Sequence, residues 1–268
     1  MRRIADGHRH TVSTSLVRRG VGLHSGADCS AMLTPAPPEH GLRINGAAVR
    51  LDAVAGAQYA TTLETASGPV STVEHLLAAL MGAGIDDVDV RIEGGEVPIL
   101  DGSAAPWFSA IEPRAHGGRR WVYVVERPLV VEGAGGRLEV TPAETLSLSV
   151  SIDFPALGPQ EFSAPVSAFE RVADARTFGF LPDVEPLRRR GLIAGASLEN
   201  VLVFDGAGGV KNPEGARGNR EPARHKWLDL LGDLALFGAP LRGTFSGSRA
   251  GHTLHHAMVR ALLDRRSS

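Results

Sequence analysis

The sequence predicts an α+β protein built from two similar units, each a β-sheet with helices. Two observations carry this. Residues 13–36, "STSLVRRGVGLHSGADCSAMLTPA", and residues 121–143, "WVYVVERPLVVEGAGGRLEVTPA", both read as strand, glycine-containing turn, strand and a closing Thr-Pro-Ala. Each is later followed by a helix opening on a histidine, "EHLLAALMGAGI" and "HKWLDLLGDLALFG", which ends at glycine before a strand-like run, "DDVDVRIEG" and "PLRGTFSG". The polar, glycine-containing stretch "EPRAHGGRR" at 112–120 reads as the join, dividing the chain into 1–116 and 117–268.

Composition narrows the function. The chain has 268 residues, 43% hydrophobic, enough for a sizeable core. A net charge of −2 supplies no basic field for nucleic acid. Cys29, the lone cysteine, rules out an internal disulfide and a cysteine zinc knuckle, and fits a reducing compartment. The first residues, "MRRIADGHRHTVSTSL", lack the apolar run of a signal peptide, and the apolar segment at 76–85 is too short to span a bilayer. The expectation is a soluble, cytoplasmic protein, without a transmembrane segment and monomeric.

The elements then supply chemistry in chain order. In "STVEHLLAAL" at 71–80, Ser71-x-x-Glu74 reads as a helix capping box, and His75 as a buried helix-start histidine. Read functionally, His75 is a metal ligand and Glu74 a base beside it, a pairing suited to metal-assisted hydrolysis. In "DARTFGF", Thr177 offers either a turn hydrogen bond or a hydroxyl to an oxyanion. In "RHKWLDLLGDLAL", with about 3.6 residues per turn, His225, Lys226, Asp229 and Asp233 share one sector, while Trp227, Leu228, Leu230, Leu231 and Leu234 fill the other side. That sector reads as a solvated face or as a metal site, since His225 and Asp229 at i, i+4 can grip one ion, and catalytic zinc takes three protein ligands. In "GHTLHHAMVRALL", His252 follows a glycine at a loop–helix junction, where it can face a cleft. His255 and His256 read as surface or packing residues.

Taken together, "GVGLHSG", "STVEHLLAAL", "EVPILDGSAAP", "ARTFGF", "SLEN", "NPEG", "RHKWLDLLGDL" and "GHTLHHAMVRAL" resemble, in order, the UDP-3-O-acyl-N-acetylglucosamine deacetylase family, the zinc amidases of lipid A biosynthesis. The resemblance covers nearly the whole chain. It implies two similar α+β domains with helices packed between two sheets and a small extra element in each. It implies one Zn2+ per chain on His75, His225 and Asp229, Glu74 as general base and His252 as the charged partner. Asp233 falls at the position that orients the catalytic histidine, and Thr177 and Lys226 at positions touching the reacting carbonyl and substrate. The implied substrate is a UDP-linked acylated amino sugar. Phe178, Gly179, Ile193, Ala194, Gly195 and Ala196 are implied to line its passage, although a plain buried strand through 188–204 would show the same small and apolar pattern. Lys226, Arg249 and Arg137 are candidates for its anionic groups. A shortened loop at 41–68, an abbreviated "SIDFPALGPQEF" and "HTLHH" in place of an asparagine-rich continuation depart from the family pattern. Two other readings remain at this point: a zinc amidase for another acylated amino sugar, and a non-catalytic sugar-nucleotide binder.

Overall fold

The structure, a computed structural model, describes residues 1–267. Strands Leu16–Val21 and Asp28–Pro35 form a hairpin, with Val88–Glu93 antiparallel beside it, Leu42–Ile44 parallel to that strand, and Ala47–Ala48 closing the sheet. The second sheet repeats this order. Leu129–Gly133 and Gly136–Thr141 form the hairpin, Leu241–Ser248 lies antiparallel to it, Leu146–Phe154 runs parallel to that strand, and Gly158–Pro165 closes the set. The weak letter-by-letter repeat is therefore a repeated topology. Its cause is visible in the strands: Val88–Glu93 and Leu241–Ser248 alternate buried with more exposed residues, so each presents one apolar face inward.

The second sheet is wider, with seven strands. Pro113–Val124 joins it parallel to Leu241–Ser248, and Arg2–Val12 pairs antiparallel along Pro113–Val124. Residues 112–120 thus lead into and form part of a strand rather than a loose connection, and position 116/117 lies inside it. Arg2–Val12 lies in the sheet of the other unit. Neither strand has a clean two-residue alternation, and their pairing contains register shifts between Ala5 and His10, so sequence periodicity carried no signal for them.

Among the described residues five α-helices follow in chain order: α1 Glu74–Gly82, α2 Ala105–Phe108, α3 Val184–Arg189, α4 Glu221–Leu234 and α5 His252–Ser267. Helices α1, α4 and α5 are packed between the sheets. One continuous apolar core joins Leu33, Val88 and Val90 of the first sheet, Leu76, Leu80, Trp227 and Leu231 of the helices, and Val140 and Phe245 of the second. The Trp227 indole N–H, carried into this core, donates to the Leu148 carbonyl at 2.9 Å. Two small sheets lie outside the main layers: Val54–Gly56 with Thr62–Leu63, and Phe178–Phe180 parallel to Leu202–Phe204. The short loop of the first unit retains its extra element as that small hairpin. No helix among the described residues is long and apolar enough to cross a membrane.

One glycine sets the separation of the two central helices. A Cβ at Gly232 of α4 would collide with the backbone carbonyl of Glu74 on α1. Only a residue without a side chain lets the helices approach this closely. The contact places the first turn of α1 against the last turn of α4.

Candidate functional site

That close approach brings together residues from both units. His75 opens α1, and His225 and Asp229 lie one turn apart on α4. Their ligating atoms fall within 4.8 Å of one another, and all three residues are buried. Asp229 Oδ1 lies 3.3 Å from His225 Nε2 and 3.7 Å from His75 Nε2, so both rings turn the same nitrogen inward. The two rings meet edge to face, with centroids 4.9 Å apart. His225 Nδ1 donates to the Ala175 carbonyl at 3.1 Å; since a carbonyl only accepts, this leaves Nε2 with its lone pair. Burial pushes both imidazoles down, and for His75, with His225 beside it, to about 3. Burial opposes the charge on Asp229, but His225 and Lys226 reverse that and hold it far below the carboxylate range. Two neutral imidazoles and one ionised carboxylate form the donor set that a divalent zinc ion prefers.

The segment that leads into the short strand Phe178–Phe180 is fixed to the same helix. Arg176, fully buried, donates from its backbone N–H and its Nε to Glu221 Oε1, the first residue of α4, at 3.0 and 2.9 Å. Phe178 packs edge-on to the His225 ring, with centroids 6.2 Å apart. Phe178 therefore flanks the ligand group, with Thr177 just before it and Gly179 just after it in the short strand Phe178–Phe180. Lys226 donates from Nζ to Asp229 Oδ2 at 2.7 Å and lies 5.7 Å from the centroid of the Phe178 ring. It neutralises the outer oxygen of the carboxylate whose inner oxygen faces the histidines.

Glu74 is not part of a capping box. The residue before α1 is Val73, which makes no side-chain cap, and Ser71 Oγ accepts from Thr62 instead. Glu74 turns inward, where its Oε2 accepts the Thr61 backbone N–H at 3.1 Å and its Oε1 lies 3.9 Å from His252 Nε2. Burial raises its carboxyl to about 7, only partly offset by His252. His252 donates from Nδ1 to Asp233 Oδ2 at 2.7 Å. Burial alone would lower His252; Asp233, then Glu74 and Asp229, more than reverse this and carry it to about 9.

Asp233 is fully buried, so the polar sector of α4 is not a solvated face. It is the centre of a network that sequence reading missed. His255 Nδ1 donates to Asp233 Oδ2 at 2.7 Å, the Thr61 hydroxyl donates to Oδ1 at 2.5 Å, and His256 Nε2 lies 3.1 Å from that hydroxyl. His255 and His256 are buried partners of Asp233, not surface residues. The spacing 252, 255, 256, one face of a helix, was the available signal.

The residues expected along the substrate passage are more scattered. Residues 188–201 are not a strand: α3 ends at Arg189, Ile193 has φ +54°, and only Leu202–Phe204 is extended. The N–H groups of Ala194 and Gly195 donate to the carbonyls of His24 and Leu23, docking this loop on "GVGLHSG". Gly195 sits so close to the Gly22 carbonyl that a side chain there would collide. Ala196 packs against a small apolar cluster of Leu23, Ile99 and Val201, apart from the main core. Arg249 is exposed just before α5. Arg137 is paired with Glu132 at 2.7 Å and Glu139 at 2.8 Å.

A buried His-His-Asp set with an adjacent carboxyl of raised pKa and a charged histidine facing it defines a metal-assisted hydrolase of α+β architecture. Comparison with known proteins narrows this class. The family model described as LpxC, UDP-3-O-acyl N-acetylglycosamine deacetylase, matches residues 9–264. Among similar proteins, the UDP-3-O-acyl-N-acetylglucosamine deacetylase of Myxococcus xanthus is 39% identical across 96% of this chain and 86% of its own. Those of Phenylobacterium zucineum and Thermosynechococcus vestitus are 40% and 43% identical, across 96% and 92% of this chain and 94% and 91% of theirs. The chain belongs to the UDP-3-O-acyl-N-acetylglucosamine deacetylase family.

Proposed function

We propose that this chain hydrolyses the N-acetyl group of UDP-3-O-acyl-N-acetylglucosamine in lipid A biosynthesis, releasing acetate, with one zinc ion held by His75, His225 and Asp229. The observation that carries this reading is the convergence of those three buried donors, from two units of the chain, beside a buried carboxyl that faces a charged histidine. When bound, zinc supplies Lewis acidity, polarising the scissile carbonyl and making the attacking water more acidic.

The chain's own groups perform the proton transfers. Glu74 Oε2 is occupied by the Thr61 N–H, so Oε1 is the oxygen that takes the proton of the attacking water. His252 is held by Asp233 through Nδ1, which directs its Nε2–H towards Glu74 and the developing oxyanion. Thr177, next in sequence to the Phe178 that packs on His225, adds its hydroxyl to that oxyanion. As the C–N bond breaks, the leaving amine needs a proton, and Glu74 and His252 are the two groups positioned to return it. The acyl chain runs past Ile193, Ala194, Gly195 and Ala196, near the apolar cluster of Leu23, Ile99 and Val201. Lys226 and Arg249 contact the polar and anionic part of the substrate, with Phe178 and Gly179 at its edge. The enzyme works as a monomer in the cytoplasm, a setting supported by its lone, buried cysteine.

The direct test is acetate release from UDP-3-O-acyl-N-acetylglucosamine by purified protein, before and after chelation and after zinc restoration. Chelator-sensitive release restored by zinc is expected. Tight UDP binding with no acetate release would instead identify a non-catalytic sugar-nucleotide binder.

A further inference from the structure

We propose that Thr61 is a positioning residue that ties the base Glu74 to the Asp233–His252 pair; this deepens the proposed deacetylase reading and rests on it. Thr61 is fully buried and lies just before the small strand Thr62–Leu63, outside both main sheets. Its polar groups each have a partner at the site. The backbone N–H donates to Glu74 Oε2 at 3.1 Å, and the backbone carbonyl accepts the N–H of Val73, the residue preceding α1, at 3.3 Å. The hydroxyl donates to Asp233 Oδ1 at 2.5 Å. One residue thus bridges the start of α1, which carries the base, and the last turn of α4, which carries the carboxylate holding His252.

Proton counting fixes the direction of these bonds. Asp233 Oδ2 already accepts from His252 Nδ1 and His255 Nδ1, each at 2.7 Å. An ionised carboxylate can only accept, so the Thr61 proton points to Oδ1, and the hydroxyl lone pair accepts from His256 Nε2 at 3.1 Å. His256 therefore orients the Thr61 hydroxyl, and Thr61 holds the carboxylate plane against rotation. With the plane fixed, Oδ2 faces His252 and the imidazole is aimed at the Glu74 side. Without the hydroxyl, Oδ1 loses its strongest donor in a site where buried polar groups need partners.

Thr61→Val removes the hydroxyl but keeps the side-chain shape and the backbone N–H. Hydrogen bonds to charged groups contribute enough that kcat should fall by about 10–100-fold, with KM and zinc content unchanged. Thr61→Ser, which keeps the hydroxyl, should recover most of the rate. Thr61→Cys, a weak donor of similar size, should fall between them. If Thr61→Val does not fold, the order of the wild type, Ser and Cys proteins still carries the test. A Val variant within twofold of wild type, a loss confined to KM, or Ser and Cys variants equally impaired would overturn the inference. Absence of acetate release from the wild type would instead remove the underlying deacetylase reading.

Discussion

At the scale of single residues, the site separates two titrations. In the proposed mechanism Glu74 must be ionised to accept a proton, and burial places it at about 7. In the same mechanism His252 must be protonated, and against the effect of burial Asp233 places it at about 9. Activity should therefore rise with pH as Glu74 ionises and fall as His252 loses its proton, giving a bell with its alkaline limb near 9. Zinc held as proposed adds positive charge beside Glu74 and should move the acid limb below 7. The limbs are assigned by variants, because interacting groups titrate as a set. Glu74→Gln should lose roughly 10²–10⁴-fold in rate while keeping zinc. His252→Gln should flatten the alkaline limb. Asp233→Asn removes the leading upward influence on His252, so its alkaline limb should move to lower pH. A pH–rate series on the three proteins checks this, and an alkaline limb unmoved in Asp233→Asn would contradict the assigned pair.

At the scale of elements, the critical contact is the crossing of α1 and α4 at Gly232. Gly232→Ala sets two effects against each other. Alanine in a helix interior is better than glycine by about 1 kcal/mol. Overpacking costs about 1–3 kcal/mol or more, and here the added methyl meets backbone, which cannot rotate away. The clash should win. A net loss of about 2 kcal/mol corresponds to a Tm roughly 4–8 °C lower in a chain of this size. Zinc retention should weaken as well, since His75 rides on the displaced turn of α1. Calorimetry with metal analysis measures both, and a more stable variant with full zinc content would show that the helices have slack.

At the scale of the molecule, one core runs through both sheets and the helices between them. The two units should therefore unfold together, although their topology is duplicated. On the proposed reading zinc couples them further, because His75 belongs to the first unit and His225 and Asp229 to the second. A ligand that binds only the folded state stabilises it by about 2.7 kcal/mol at a hundredfold excess over Kd. Chelation should therefore lower a single calorimetric transition by roughly 5–10 °C. Two separate transitions, or one unmoved by chelation, would show that the units and the site are not linked in this way.

The sequence by itself determined the duplicated order of elements and the family, because hydrophobic periodicity, glycine turns and ordered motifs are local properties that need no partner. The helix carrying His225 and Asp229 and the turn carrying Glu74 and His75 were legible for the same reason. Only the tertiary structure decided what surrounds them. It moved Arg2–Val12 into the second sheet, a placement invisible in a strand without alternation. It replaced the capping box at Ser71 with an inward Glu74, because the buried Thr61 N–H offers that carboxylate a better-protected partner than the helix end does. It turned residues 188–201 from a strand-like run into a docked loop. It gathered Thr61 and the α5 residues His255 and His256 around Asp233, three segments whose sequence positions bear no periodic relation to one another. A buried carboxylate must be satisfied by whatever donors the fold brings near it, and that proximity is set by the packing of α1, α4 and α5 rather than by any local pattern.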